Sequence, residues 1–400
     1  MRRRWPVALL LAAAAAAAVA GPKARDLGIP FDGTPGPLDA ITDVTGVTVG
    51  HTTLIAGEGK LEVGKGPVRT GVTAILPRGR GSVHDPVFAG SYVLNGNGEM
   101  TGLTWVEESG LLRGPVMLTN THSVGVVHDA AIAWQLRQPD LPKDDELWWS
   151  LGVVGETFDF WLNDVNGFHV RPEHTVAALE NAAGGPVAEG GVGGGTGMVS
   201  FDFKGGIGTA SRVVQVAGVG YTVGALVQTN FGARDQLRIA GVPVGRAIPE
   251  GVLPEETPIK TAAQQRKLGD LGSIIVVVAT NAPLLPHQLK RLARRVALGV
   301  ARTGGVATNG SGEIFIAFST AATGVGAGRG DAPVQLRMLP NESMNPLFTA
   351  TVEATEEAII NALVAGRSMT GIDGHFVMGL PHERVQALLR QRGVLVAPAR

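Results

Sequence analysis

The chain contains no cysteine, so disulfides, thiolate metal sites and a cysteine nucleophile are excluded, and covalent catalysis would have to use serine, threonine, lysine or a carboxylate. The residues of those types in the most chemically interesting settings are few. Ser273 stands where a proline-rich segment meets the unbroken β-branched run SIIVVVAT, and Ser311 and Glu313 lie together in NGSGE. Asn230 follows shortly after the apolar run that ends at Val227. A serine hydroxyl is a weak nucleophile at neutral pH and needs a base beside it. Taken singly, each of these residues also reads as turn or cap chemistry, and Gly272-Ser273 read locally is a turn leading into a strand.

Other chemistries lack their signatures. The glycine cluster GGVGGGTGMVSFDFKGGIGTASR (190–212) contains no G-x-G-x-x-G, and no Gly-Lys-Ser/Thr occurs in the chain, so phosphate binding has no support. The cluster reads instead as backbone that must pass close to another segment or a ligand. His122, His128, His169 and His174 do not fall at zinc spacings, and no metal or organic cofactor is expected. G-x-S-x-G is absent, because Asn309 precedes Gly310-Ser311 and Glu313 follows Gly312.

Short β-branched runs alternating with amphipathic stretches must position these residues, as in a mixed α/β protein. Strands are expected at 41–49, 71–76, 212–216, 221–227, 273–279 and 313–318, and helices at 124–136, 173–182, 287–303, 353–365 and 382–392. In the third helix Leu289, Leu292, Ala293, Val296 and Val300 form one stripe, with Lys290, Arg291, Arg294 and Arg295 on a face expected to be solvated. The segment 241–272 has prolines, charges and little periodicity, so it reads as an exposed loop.

The chain starts MRRRWPVALLLAAAAAAAVA. Three arginines before a short apolar run ending in small residues read as a cleavable signal peptide over residues 1–20, hence an exported, periplasmic or secreted protein with no stable membrane insertion. Its removal takes the formal charge from -1 to -4, because only three arginines and no acid are lost. No basic stripe with interleaved aromatics occurs, so a nucleic-acid partner is excluded. A 44% hydrophobic content argues for a globular fold despite 57 glycines.

Taken together, GGVGGGTGM with KGGIGTASR, VQTNFG, GSIIVVVATNAPLLPHQLKRLARR and NGSGEIFIAFST resemble the DmpA-type aminopeptidases and the related β-aminopeptidases, from about residue 37 to 374. The resemblance implies a four-layer αββα sandwich of the N-terminal-nucleophile type. It also implies self-cleavage between Gly272 and Ser273 into two chains of one domain, 21–272 and 273–400, and a homo-oligomer of these heterodimers. The implied substrates are amino-acid amides and short peptides that lose single N-terminal residues. By position, Ser273 is similar to the family nucleophile, Ser311 and Glu313 to its supporting pair, and Asn230 to the oxyanion amide. Glu156 in GETFD matches the carboxylate that receives the substrate's ammonium. Phe158 stands where members can carry tyrosine, and Asn281 where aspartate is expected. A self-processing acyltransferase of related fold, which cuts before threonine, and a non-catalytic exported binding protein are the competing readings.

Overall fold

The structure is a computed structural model that describes residues 21–139, 141, 148–249, 272–325 and 333–397; the signal-peptide segment and residues 250–271 of the expected loop lie outside the described residues.

Strand β11 (Gly272–Thr280) is buried at every position, so it must have a partner on each edge and an apolar layer on each face. Its edges are β10 (Val219–Asn230), antiparallel, and β12 (Ser311–Ser319), parallel. With β9 (Gly206–Val216), β3 (Val87–Gly96) and β4 (Leu111–Leu112) these form a sheet of order β4-β3-β12-β11-β10-β9. Alternation divides β11 between two cores. Ile274, Val276 and Val278 meet Leu289, Leu292 and Val296 of α5 (Pro286–Arg302) and Leu347, Ala354 and Ala358 of α6 (Asn345–Ala365). Ile275, Val277 and Ala279 point the other way, into a core shared with Val116, Leu118 and Val153 of a second sheet.

That second sheet has the order β1-β2-β5-β6, from β1 (Thr48–Ala56), β2 (Val68–Arg80), β5 (Val116–Asn120) and β6 (Val153–Thr157). Its outer face carries Val72, Ala74, Met117 and Val154 against Val127 and Trp134 of α2 (Val124–Gln135) and Ala178 and Leu179 of α3 (Pro172–Glu180). The layers therefore run α, β, β, α, the expected sandwich. Strands β11 and β12 come from the C-terminal part of the sequence, yet they lie between β3 and β10 from the N-terminal part.

Several elements depart from the sequence reading. Residues 41–49 are not one strand. Ile41–Asp43 is a 3-10 turn held by the Asp43 carboxylate, which accepts from the N–H groups of Leu38 and Ala40, and β1 starts only at Thr48. Helix α6 begins eight residues before the expected Glu353, at Asn345 with a proline in its first turn. Strands β3, β5 and β6 and a short helix α1 (Leu103–Ser109) escaped the sequence pattern. The start of the expected loop folds as well: Val244–Ala247 is a helical turn whose Val244, with Ile248 after it, is fully buried. The basic face of α5 is not simply solvated, since Arg291 and Arg295 lie 5.0 and 3.9 Å from the Phe348 ring centroid and Lys290 pairs with Glu107.

Candidate active site

The ends of three adjacent strands bring the predicted residues together. Asn230, the last residue of β10, and Ser273, the second of β11, are direct Cα partners in the antiparallel ladder, so their side chains leave the sheet on the same face. Parity identifies that face. Ser273 alternates with Ile274, which meets the helices, and so shares the inter-sheet side with Ile275. Both residues are nearly inaccessible. Ser273 Oγ donates to the carbonyl oxygen of Gly272 at 2.7 Å. A side chain at position 272 would lie 2.7 Å from Asn230 O and 2.9 Å from Phe231 Cα. Glycine before the serine is therefore required by the close approach of β10.

On the other edge, Ser273 is opposite Gly312, and Gly272 opposite Ser311. Ser311 and Glu313 flank Gly312 and so share a face, and the Ser311 hydroxyl donates to Glu313 Oε1. Glu313 Oε2 is buried without a close hydrogen-bond partner among the described residues. Burial pushes the Glu313 carboxyl up, with the Ser311 hydroxyl and the Asn95 amide pulling the other way. The β3 end clamps this segment: Asn95 Nδ2 donates to Thr308 O and Ser311 O at 2.7 and 2.6 Å, and Asn97 Nδ2 to Gly310 O at 2.8 Å.

The second sheet supplies the opposing wall. Glu156, near the end of β6, is 3% exposed. Its Oε1 accepts from the Glu99 N–H at 3.0 Å and its Oε2 from the Thr121 hydroxyl. Burial pushes its carboxyl up; those two hydrogen bonds oppose the shift, nearby Glu99 adds to it and His122 counters it. Gly98 links this carboxylate to β12. A side chain there would lie 3.3 Å from Glu156 Oε1 and 3.4 Å from Gly312 Cα, the residue paired with Ser273. The Phe158 carbonyl accepts from Asn230 Nδ2 at 2.9 Å, and its ring stacks on Phe160 with centroids 4.6 Å apart.

The remaining assignments resolve differently. Asn281 follows the opposite end of β11 and accepts from the Thr222 N–H at 2.8 Å, about 25 Å along the strand from Ser273. The glycine cluster is the close-passing backbone expected. A side chain at Gly194 would meet Leu118 O at 2.8 Å, and one at Gly197 would meet Asp159 Cβ at 3.0 Å. His169 pairs with Asp164 and His122 stacks on Phe168. Among the described residues no group of three or more His, Asp or Glu could hold a metal ion, and no helix is long and apolar enough to cross a membrane. Asn95, Asn97 and Thr121 were not anticipated; the repeated N-G of NGNG at 95–98 was the available signal for the first two.

A hydroxyl whose direct ladder partner carries an amide, a hydroxyl–carboxylate pair on the adjoining strand end and a buried carboxylate on the second sheet are the groups that acyl transfer on a substrate with a cationic end requires. The comparisons agree. Residues 39–377 match the model of peptidase family S58. The chain is 54% identical over 387 residues to the beta-peptidyl aminopeptidase BapA of Sphingosinicella microcystinivorans, covering 95% of each. Among solved structures it resembles the L-aminopeptidase D-Ala-esterase/amidase of Ochrobactrum anthropi, a serine aminopeptidase described as a variant of the Ntn hydrolase fold. That likeness has a TM-score of 0.86 and 48% identity over 94% of this chain and 99% of that one. A Burkholderia sp. beta-aminopeptidase aligns with a TM-score of 0.82 and 46% identity over 93% and 99% of the two chains.

Proposed function

The chain belongs to peptidase family S58 and is an N-terminal-nucleophile serine aminopeptidase, and from that premise we propose how its residues divide the work. The acyltransferase and non-catalytic readings are not favoured by these relatives.

Ser273 acts twice. In the uncut chain its Oγ, already against the Gly272 carbonyl group, attacks the Gly272 carbonyl carbon. The peptide C–N bond breaks as the acyl group moves from nitrogen to oxygen, and water hydrolyses the ester. The products are the Gly272 carboxylate and the free α-amine of Ser273. That amine, ordinarily near pKa 7.7–8.0, is the base the hydroxyl lacked. In turnover it takes the Oγ proton as Oγ attacks the substrate amide, and the proton passes to the departing amine. Water then releases the acyl group as the free amino acid.

Asn230 Nδ2 carries two protons, of which one goes to Phe158 O; the second is directed to the oxyanion. Glu313 Oε2, which has no close hydrogen-bond partner among the described residues, has the right charge to hold the newly formed Ser273 ammonium, with Ser311 relaying between them. Glu156 pairs with the substrate's own ammonium. A peptide-blocked amine would leave this buried carboxylate without its counter-charge, which enforces exopeptidase action. β-Aminoacyl amides and short β-peptides are the leading substrates, because the two relatives at 50% identity or more over about 95% of the chain are β-peptidyl aminopeptidases by name, while the similar L-aminopeptidase keeps α-aminoacyl amides as the second class. Neither metal nor organic cofactor takes part. Export by the residue 1–20 signal, processing into chains 21–272 and 273–400, and assembly of these heterodimers into a homo-oligomer complete the proposal.

The observation that carries this reading is the pairing of Asn230 with Ser273 in the ladder, with Ser311 and Glu313 on the next strand. Intact mass of the purified protein, followed by release of amino acid from α- and β-aminoacyl amides, tests it. Two chains joined at no covalent bond, and activity only in that form, are expected. A single active chain would overturn it.

A further inference from the structure

One buried cation has no place in this mechanism. Lys204 is fully inaccessible, and its ammonium donates to three backbone carbonyls, Gly205 at 2.8 Å, Met198 at 2.9 Å and Gly195 at 3.2 Å. All three lie in the glycine cluster 190–212, which read as backbone that must pass close to another segment or a ligand. Among the described residues no carboxylate forms an ion pair with Lys204, and burial pushes this lysine down to about 7 with Asp159 pulling the other way. The fold tolerates that burial for a contact made through carbonyl groups alone.

The Met198–Val199 peptide shows what the contact reaches. Its carbonyl accepts from Lys204 and from the Gly205 N–H at 3.0 Å. Its N–H, on Val199, donates to Asn230 Oδ1 at 2.8 Å. One peptide plane thus has a cation on its oxygen and the proposed oxyanion amide on its nitrogen. A cation at the carbonyl polarises the peptide and strengthens its N–H as a donor. With Oδ1 fixed by Val199, Asn230 must present Nδ2 to Phe158 O and to the face shared with Ser273. The reverse orientation would set Nδ2 against the Val199 N–H and Oδ1 against the Phe158 carbonyl, two repulsive contacts.

We propose that Lys204 is a positioning residue for the reaction: through the Met198–Val199 peptide it locks the orientation of the Asn230 amide that stabilises the oxyanion. This rests on the assignment of Asn230 as that donor.

The test uses processed protein, with rates normalised to the processed fraction measured by intact mass. Lys204→Met removes all three donors at similar volume. It should lower kcat by roughly 10- to 100-fold, as a donor displaced by about an ångström would, while KM for an aminoacyl amide, set by Glu156, stays within about twofold. Lys204→Gln, a smaller perturbation that keeps two N–H donors, should show an intermediate kcat loss if the methionine variant does not fold. Lys204→Arg, which keeps charge and donors, should recover part of kcat. The decisive readout is the double variant: added to Asn230→Ala, Lys204→Met or Lys204→Gln should cost almost nothing further. Unchanged kcat in the Lys204 variants, or losses that simply multiply with that of Asn230→Ala, would overturn the proposal. Unchanged kcat in Asn230→Ala alone would instead overturn the oxyanion assignment beneath it.

Discussion

Asn230 and Ser273 face one another directly across two antiparallel strands, so the separation between proposed oxyanion donor and nucleophile is fixed by sheet geometry and not by a loop. Removing the amide should therefore leave the nucleophile in place and cost mainly transition-state stabilisation. Asn230→Ala is expected to lower kcat by about 10²- to 10³-fold with little change in KM. Steady-state kinetics on the processed form checks this, and a dominant KM effect would assign Asn230 to binding.

Ser273→Ala should fold and remain a single chain spanning both 21–272 and 273–400. Alanine lacks the oxygen proposed to attack Gly272, and a methyl group fits wherever a hydroxymethyl did. Ser273→Cys should still split, because a thiol is the better nucleophile, but deacylate more slowly. Mass spectrometry of the variants against wild type decides. An alanine variant cut after Gly272 would show that another group performs the cleavage.

Glu156 offers a separation of the two reactions that Ser273 cannot. Self-cleavage involves no free amine before the cut, so Glu156→Gln should process normally yet show a KM raised by at least about tenfold, the loss of a buried charge-assisted contact. A pH dependence follows. In the proposed role the carboxylate, not the acid, would hold the ammonium, and burial raises the Glu156 pKa, so binding should fail as pH falls and should begin to fail above the ordinary glutamate range. The acid limb of kcat/KM due to Glu156 should be missing in the glutamine variant. An identical limb in both proteins would assign it to the Ser273 amine alone.

The sequence carried much of this site, and the reasons it carried no more are physical. Ser273, Ser311, Glu313 and Asn230 stand beside runs whose β-branched content marks strands, and their mutual placement follows once those strands pair. The strands that were missed, Val87–Gly96, Val116–Asn120 and Val153–Thr157, contain glycine, proline-adjacent or polar residues because they end in the site, which breaks the apolar pattern. Lys204 was illegible for a different reason. Its partners are carbonyl groups, which every residue has, so no side-chain motif announces them. Ile41 looked like the start of a strand because it is apolar and buried, but it is buried by lying across the sheet: a side chain at Gly224 would come within 2.7 Å of its Cα.

Asn281 is a case where structure replaces a question with an expectation. It lies beyond the far end of β11 from Ser273, and its Oδ1 accepts from the Thr222 N–H, a bond that an aspartate oxygen makes equally well. Asn281→Asp should leave processing and kcat/KM within about twofold and change stability by no more than about 0.5 kcal/mol. A larger activity change would mean that charge at this end of the strand reaches the site.

The position of β11 and β12 inside the sheet makes a prediction about the processed form. After a cut at Gly272, residues 273–400 would still supply two strands flanked by β3 and β10 of the other piece, so separation would break two full strand ladders. A buried ion cluster adds a second tie. Glu357 of α6, fully buried, accepts from Arg212 at 2.6 Å and from Arg25 at 2.7 and 2.9 Å, both on the N-terminal piece. Next to it, Asn361 Oδ1 accepts from the Ala24 N–H at 2.8 Å. The processed protein should therefore unfold in urea as one unit, both chains losing structure together. Without Glu357 the fully buried Arg212 keeps only its longer carboxylate contacts among the described residues, to Glu353 at 3.5 Å and Asp39 at 3.8 Å, so Glu357→Ala should destabilise that transition by up to about 3 kcal/mol. Glu357→Gln, which keeps a hydrogen-bond acceptor, should cost less. Circular dichroism against urea concentration, with size-exclusion chromatography below the midpoint, measures both quantities. Release of the 273–400 chain before the main transition would show that the interleaved strands do not hold the two pieces together.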